Sequence, residues 1–137
     1  MREVLILIEL INSLTEENWD YCISGMRAKQ YFKSGGCYEF VKVLKHFFPD
    51  GTIMMQRDYN HCAYLIGEII YDCEGICKKD DFIVASDLDK KKLEDVYIYG
   101  RVDIKFDNKT PSEALIDEIY LCFPEQNFPF KKESVKK

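Results

Sequence analysis

Three residue types that together carry out thiol chemistry follow one another along the chain: Cys37, His61 and Asp72. A cysteine becomes a strong nucleophile when it loses its proton, and a histidine takes and returns protons near neutral pH. A carboxylate can hold a histidine ring in one tautomer and one orientation. These residue types in this order predict a site in which Cys37 attacks an acyl carbon and forms a covalent intermediate.

The segment around Cys37 favours an activated thiol. Gly35 and Gly36 end one predicted helix, and the next helix is predicted to begin at Cys37 and to run to about His46. The amino end of a helix is the positive pole of the peptide dipoles, so it favours a thiolate, and its N–H groups can bind an oxyanion. His46 lies at the other end of that helix, about 13 Å away, and is too far to act on Cys37.

His61 and Asp72 fall on two predicted strands that are joined by a tight turn at Gly67 and Glu68. Counting outward from this turn places residue 74 opposite His61 and makes Asp72 its diagonal neighbour on the same face. The carboxylate is then in position to orient the imidazole. A second interpretation also stays open, in which Asp72 closes the turn that precedes Glu74.

The rest of the pattern predicts an α+β domain, with N-terminal helices packed on an antiparallel sheet. We expect a single domain over residues 1–123 and a polar C-terminal tail over residues 124–137. The predicted helices cover residues 2–12, residues 13 to about 32, the segment from Cys37, and a segment that starts at a Thr110-Pro111 cap and stops before Pro124. The predicted strands cover residues 52–57, 61–66, 68–73, 82–85 and 96–106.

The net charge, the apolar runs and the cysteines of the sequence argue against several classes of protein. The net charge is −5, and the basic runs are short, so we expect no nucleic-acid binding. The apolar run near the start is too short to span a bilayer, which predicts no membrane insertion. With no recognisable secretory signal, the six cysteines indicate a cytoplasmic protein with reduced thiols. Cys22 and Cys122 are predicted to be buried on the apolar faces of helices.

Two stretches resemble the core of the papain-like and transglutaminase-like thiol enzymes, including the compact NlpC/P60-type peptidases. They are GGCYEFVKVLKHFFPDG, residues 35–51, and NHCAYLIGEIIYDCEGI, residues 60–76. In those families a cysteine at a helix start is followed by a histidine that opens a strand and by Asp or Asn on the next strand. The resemblance covers a segment from residue 34 to residue 76.

The resemblance implies a papain-like core that performs acyl transfer on a peptide or protein amide, as a peptidase, amidase, deamidase or transglutaminase. It implies Cys37 as nucleophile, His61 as general base and acid, and Asp72 as the residue that orients His61. Gln30, seven residues before Cys37, is the candidate oxyanion donor. Such a mechanism requires no cofactor.

Zinc binding is an alternative use of the same region. His61, Cys62, Cys73 and Cys77 supply four possible ligands. Neighbouring residues on a strand point to opposite faces, however, so His61 and Cys62 are not expected to face one ion. No second cysteine pair matches the spacing from Cys73 to Cys77. The sequence therefore predicts no metal site.

A non-catalytic function is the rival hypothesis. Cysteine is among the residue types most often buried, so Cys37 is also compatible with a core position. The same fold without chemistry would be a protein-binding module, for instance a phage-encoded inhibitor of a host factor. Its acidic surface would suit a basic groove on the partner.

Overall fold

The computed structural model describes residues 2–14, 22–23, 26–27, 32, 37–56, 61–77, 81–96 and 110–123. Several sequence-based predictions fall outside these residues: Gln30, Gly35 and Gly36, the segment 97–106 of the last predicted strand, and the tail at 124–137.

The first helix, α1 (Arg2–Ser13), forms where it was predicted. The apolar spacing in the sequence predicts Val4, Leu5, Ile8 and Ile11 as its buried stripe, but Leu7 takes the place of Leu5, which stays 38% exposed. Leu7 lies one turn from Val4 and Ile11 and so shares their face, whereas Leu5 is rotated about 100° away from Val4. The buried residues are Val4, Leu7, Ile8 and Ile11.

The predicted second helix is wrong at residues 22–23 and 26–27, which form strands. Two short strands, β1 (Cys22–Ile23) and β2 (Met26–Arg27), pair antiparallel, with Cys22 opposite Arg27. Ser24 and Gly25 separate them in the sequence. A glycine inside a helix destabilises it by about 1 kcal/mol, and a two-residue linker that contains glycine favours a hairpin. The prediction gave more weight to the helical spacing of the apolar residues in this segment.

The predicted antiparallel meander is confirmed as the centre of a five-stranded sheet. Its strand order is β6-β5-β4-β3-β7, and every neighbouring pair is antiparallel. The β6 strand was not predicted, because a two-residue strand carries no periodicity. The strands are β3 (Thr52–Gln56), β4 (Cys62–Ile66), β5 (Ile69–Asp72), β6 (Gly75–Ile76) and β7 (Phe82–Val84).

Helices pack against this sheet, which makes the fold α+β as predicted. The central helix, α2 (Cys37–Phe47), contacts β4 on one side and the last helix, α4 (Pro111–Cys122), on the other, while α1 contacts β6. A further helix, α3 (Asp87–Val96), includes Val96, which the sequence had assigned to a strand. No helix within the described ranges combines the length and the apolar character needed to cross a bilayer.

The last helix starts with the predicted capping box. The Thr110 hydroxyl accepts the N–H of Glu113, and the Glu113 carboxylate accepts the N–H of Thr110. Leu115 and Ile119 are buried, as expected from their spacing. Cys122 is exposed, so its predicted core position is wrong. It shares the helical face of Leu115 and Ile119, but it lies in the last turn of α4, where neighbouring Leu121 is 73% exposed as well.

Candidate functional site

Cys37 is the first residue of α2, as its sequence context predicted. Phe40, Val41, Leu44 and Phe47 repeat at helical spacing and bury one face of the helix in the core. This packing holds the amino end of α2 against β4. Cys37 is itself only 4% exposed, so the thiol lies at the boundary of the core rather than on an open surface.

His61 and Asp72 come together as the strand register requires. Ile66 pairs with Ile69 across the turn and Tyr64 pairs with Tyr71, which is the register that the sequence predicted. His61 directly precedes β4, and Asp72 is the last residue of β5. The Nε2 atom of His61 lies 3.2 Å from Oδ2 of Asp72. The two side chains are 16% and 12% exposed, so solvent screens their interaction only in part.

The imidazole of His61 also forms a hydrogen bond with the side chain of Cys37. The Asp72 carboxylate raises the pKa of His61 most, and the Cys37 hydrogen bond adds to this. Burial acts in the opposite direction, and the net result is a pKa of about 9. His61 is therefore protonated at neutral pH when an anionic sulfur and an anionic carboxylate flank it.

Asp72 makes both of the contacts that the sequence left open. Its Oδ2 atom faces His61, and its Oδ1 atom accepts the backbone N–H of Glu74 at 2.9 Å. Burial alone would raise the pKa of Asp72, but hydrogen bonds from His61, from the Glu74 N–H and from Cys77 together bring it below its ordinary value. The carboxylate is thus ionised and anchored to the turn, which fixes the direction in which it meets the imidazole.

Cys77, which the sequence suggested only as a possible zinc ligand, also lies at this site. Its side chain hydrogen-bonds to Asp72, and one ligand atom from each of His61, Asp72 and Cys77 lies within 4.8 Å of the other two. The short β6 strand brings Cys77 there, since Ile76 pairs with Tyr71 and the Cys77 N–H donates to the Ile70 carbonyl at 2.7 Å. The glycine at residue 75, in an otherwise β-prone run after Asp72, is the one sequence signal of this second turn.

Cys62 is a buried neighbour of Cys37. It is fully buried, and a hydrogen bond with Cys37, followed by burial, raises the pKa of its thiol. His61 and Cys62 therefore both contact the same sulfur, although adjacent strand residues were expected to face apart. The alternation does not apply to this pair because β4 begins only at Cys62.

An aromatic ring completes the described surroundings of the imidazole. The centroids of the His61 and Phe82 rings are 5.7 Å apart, with the planes tilted by 51°. Phe82 is the first residue of the edge strand β7, and its half-buried ring limits the access of water to His61. A partly dry environment strengthens each electrostatic interaction in the site.

Comparison with known families identifies the chain. A family model described as phage YunG-like protein matches residues 7–115. The chain belongs to this family. The matched segment of this phage YunG-like protein contains Cys37, His61, Asp72 and Cys77. No curated protein and no solved structure matches it.

Proposed function

We propose that this phage YunG-like protein performs thiol-dependent acyl transfer at Cys37. The observation that carries the proposal is the pair of hydrogen bonds made by His61, to the Asp72 carboxylate on one side and to the Cys37 side chain on the other. Because Nε2 faces Asp72, we assign Nδ1 to the sulfur. In this proposal Cys37 is the nucleophile, His61 carries the proton, and the Asp72 carboxylate orients His61.

The proposed reaction has two steps. The Cys37 thiolate attacks the carbonyl carbon of an amide or thioester, and the His61 imidazolium gives its proton to the leaving amine or thiol as the carbon–heteroatom bond breaks. Neutral His61 then takes a proton from water or from an attacking amine, which displaces the sulfur from the acyl group. The products are an acid or a new amide, the Cys37 thiolate and the His61 imidazolium, as at the start.

The fold around these residues fits a papain-like core, with a helix that begins at the cysteine and a sheet that supplies the other two residues. We propose Gln30 as oxyanion donor together with the amino end of α2, where the helix dipole favours developing negative charge. The substrate class is a peptide or protein amide. The five cysteines whose side chains the structure describes form no disulfide, which fits a cytoplasmic, reducing location.

A competition between thiols tests the proposal. The reduced protein is alkylated with iodoacetamide at pH 6.5, and each cysteine is followed by mass spectrometry. We expect Cys37 to react faster than Cys122, although Cys37 is 4% exposed and Cys122 is exposed. Although Cys122 is exposed, partial loss of hydration and the neighbouring Glu118 carboxylate raise the pKa of its thiol, so the thiol is protonated at this pH. A His61→Ala substitution should remove the advantage of Cys37.

The matched control is His46→Ala, which removes the other histidine and should leave the Cys37 rate unchanged. His46 lies at the far end of α2, where its Nε2 atom meets the hydroxyl of Tyr120 at 3.1 Å. If labelling follows solvent exposure instead, with Cys122 fastest and no effect of His61→Ala, then Cys37 has no activated thiolate and the proposal is wrong.

The burial of Cys37 favours one second candidate, a protein-binding module without catalysis. A sulfur that is 4% exposed and in contact with fully buried Cys62 is also what core packing produces. In this candidate the acidic chain, with net charge −5, binds a basic groove of a host protein as a phage-encoded inhibitor. Cys37→Ala would then leave the effect of the protein on a bacterial host intact, whereas an enzyme would lose it.

A further inference from the structure

We propose that His61, Asp72 and Cys77 form a binding site for Zn²⁺, and that zinc at this site switches off the thiol chemistry. The switching consequence rests on the proposed function, whereas the metal site rests on geometry alone. One imidazole nitrogen, one carboxylate oxygen and one thiolate are a donor set that zinc accepts. Three protein ligands leave a fourth tetrahedral position for water.

The three donor atoms are already close to the spacing that zinc requires. They lie within 4.8 Å of one another, and Nε2 of His61 and Oδ2 of Asp72 are 3.2 Å apart. Bonds of about 2.0–2.3 Å in a tetrahedral site place ligand atoms roughly 3.3–3.8 Å apart. A shift of the Cys77 side chain by about an ångström would complete this arrangement.

The backbone positions of the ligands are set by the sheet rather than by the metal. His61 directly precedes β4, Asp72 ends β5, and Cys77 directly follows β6. These three strands are neighbours in the hydrogen-bonded order β6-β5-β4. The His61 and Asp72 side chains keep 16% and 12% of their surface exposed and Cys77 is half-buried, so an ion can enter from solvent and still be largely shielded from it. The site is therefore preorganised before zinc arrives.

Zinc binding would change the protonation of His61. The ion replaces the proton on Nε2 and the proton on the Cys77 thiol, and both protons pass to the solvent. A neutral imidazole bound to zinc through Nε2 keeps its remaining proton on Nδ1, so Nδ1 has no lone pair to take a proton from the water or amine that attacks the acyl group. Asp72 is drawn onto the metal at the same time. The general base is thus blocked without any contact between zinc and Cys37.

Metal titration of the reduced, metal-free full chain tests the site. Zn²⁺ is titrated against a chromophoric chelator, and Co²⁺ is used to detect a sulfur-to-metal charge-transfer band. We expect one tight equivalent per chain and a cobalt–thiolate band. Cys77→Ala should lose the band and weaken zinc binding at least about tenfold. Cys122→Ser, which removes an exposed thiol on α4, should bind zinc as the unmodified protein does.

The failure of this proposal and the failure of the proposed function are separable. Cys37→Ala removes the nucleophile but none of the three ligands, so it should still bind zinc. Zinc binding that persists unchanged in Cys77→Ala, or no stoichiometric binding by the unmodified chain, overturns the metal site. Zinc binding without any fast-reacting Cys37 overturns the proposed function and leaves the metal site supported.

A measurement on the unmodified protein covers the case in which Cys77→Ala does not fold. Zinc should slow the alkylation of Cys77 by coordination, and a chelator should restore the rate. Cys122 serves as the internal reference and should react at the same rate with and without zinc. Alkylation of Cys77 that is indifferent to zinc contradicts the site.

Discussion

His61 is the residue on which the site depends, because its ring contacts both other members of the proposed triad. Its ring bridges the end of β5 and the start of α2. An imidazolium held between a carboxylate and a thiolate is stabilised by both, and its partial burial makes each interaction stronger than it would be in water. The same contacts also stabilise the fold, since they are lost on unfolding.

This coupling predicts a pH dependence of stability in the metal-free protein. The pKa of His61 is about 9 in the folded chain against 6.5 in the unfolded one, so between these values the His61 ring holds more proton in the native state than in the unfolded state. Its contribution is fully present below pH 6.5 and is lost as the pH rises towards 9. Because solvent partly screens these interactions, the loss from His61 is roughly 1–3 kcal/mol. Urea unfolding at a series of pH values across this window measures it.

Two variants test whether the titration of His61 causes this loss of stability. Asp72→Asn removes the largest cause of the raised pKa, so the free energy of unfolding should fall less steeply above pH 6.5 than in the unmodified protein. His46→Gln should keep the original slope, because burial lowers the pKa of His46 and its titration lies below this window. Equal slopes in all three proteins would show that His61 is not stabilised as an imidazolium.

At the scale of elements, α2 is held in place by a buried carboxylate in its own first turn. Glu39 is 4% exposed, pairs with Lys42 and accepts the N–H of Ser112 at 2.9 Å. Ser112 belongs to the first turn of α4, so the charge also lies at the positive end of that helix dipole. Glu39 therefore ties α4 to the helix that carries Cys37.

Glu39→Ala should destabilise the protein by about 1–3 kcal/mol, because it leaves the buried Ser112 N–H without its acceptor. Glu39→Gln keeps an acceptor oxygen and should cost less. Glu113→Ala is the matched control, since it removes a capping carboxylate from the same turn at an exposed position and should give a smaller loss. Denaturant midpoints compare the three. A Glu39→Ala loss no larger than that of Glu113→Ala would contradict this assignment.

A close approach between the α2–β3 turn and β4 sets the position of the sheet against the helix. The Tyr64 hydroxyl accepts the Gly51 N–H at 3.0 Å and donates to the Phe48 carbonyl. A Cβ atom on Gly51 would lie 2.5 Å from Cζ of Tyr64 and 2.7 Å from the Leu65 carbonyl oxygen. Only a residue without a side chain fits at this point.

Gly51→Ala should therefore cost on the order of 1–3 kcal/mol, because the backbone of the turn or of β4 has to move. Gly67→Ala offers the comparison, as its Cβ would enter open space and the strain comes only from a φ of 62°. That strain is worth roughly 1 kcal/mol. The two unfolding midpoints check the order, and a smaller effect at Gly51 than at Gly67 would rule out the close approach.

At the scale of the whole molecule, the described elements form one core in which α1, α2 and α4 pack together with the five-stranded sheet. The last described residue, Phe123, still packs against this core, whereas the sequence after it is rich in lysine. We propose that the folded unit ends there. A chain of residues 1–123 should keep the thermal midpoint of the full chain within about 2 °C. A clear drop would place part of the core in residues 124–137.

Local physical chemistry in the sequence was enough to determine the geometry of His61 and Asp72. A two-residue turn at Gly67 and Glu68 between β-prone runs leaves one register, and that register puts the two side chains on one face. The same holds for the start of α2 at Cys37 and for the capping box of α4, because both depend on residues within one turn of the chain. Gln30 stays a prediction, since it lies outside the described residues.

Only the tertiary structure decided which cysteines meet the site and which do not. Cys77 reaches Asp72 through a two-residue strand that has no periodicity, and Cys62 meets Cys37 because α2 packs on β4. Cys122 has the spacing of a core residue but is exposed in the last turn of α4. Spacing along one element determines which side chains share a face, whereas burial and contact depend on what packs over that face.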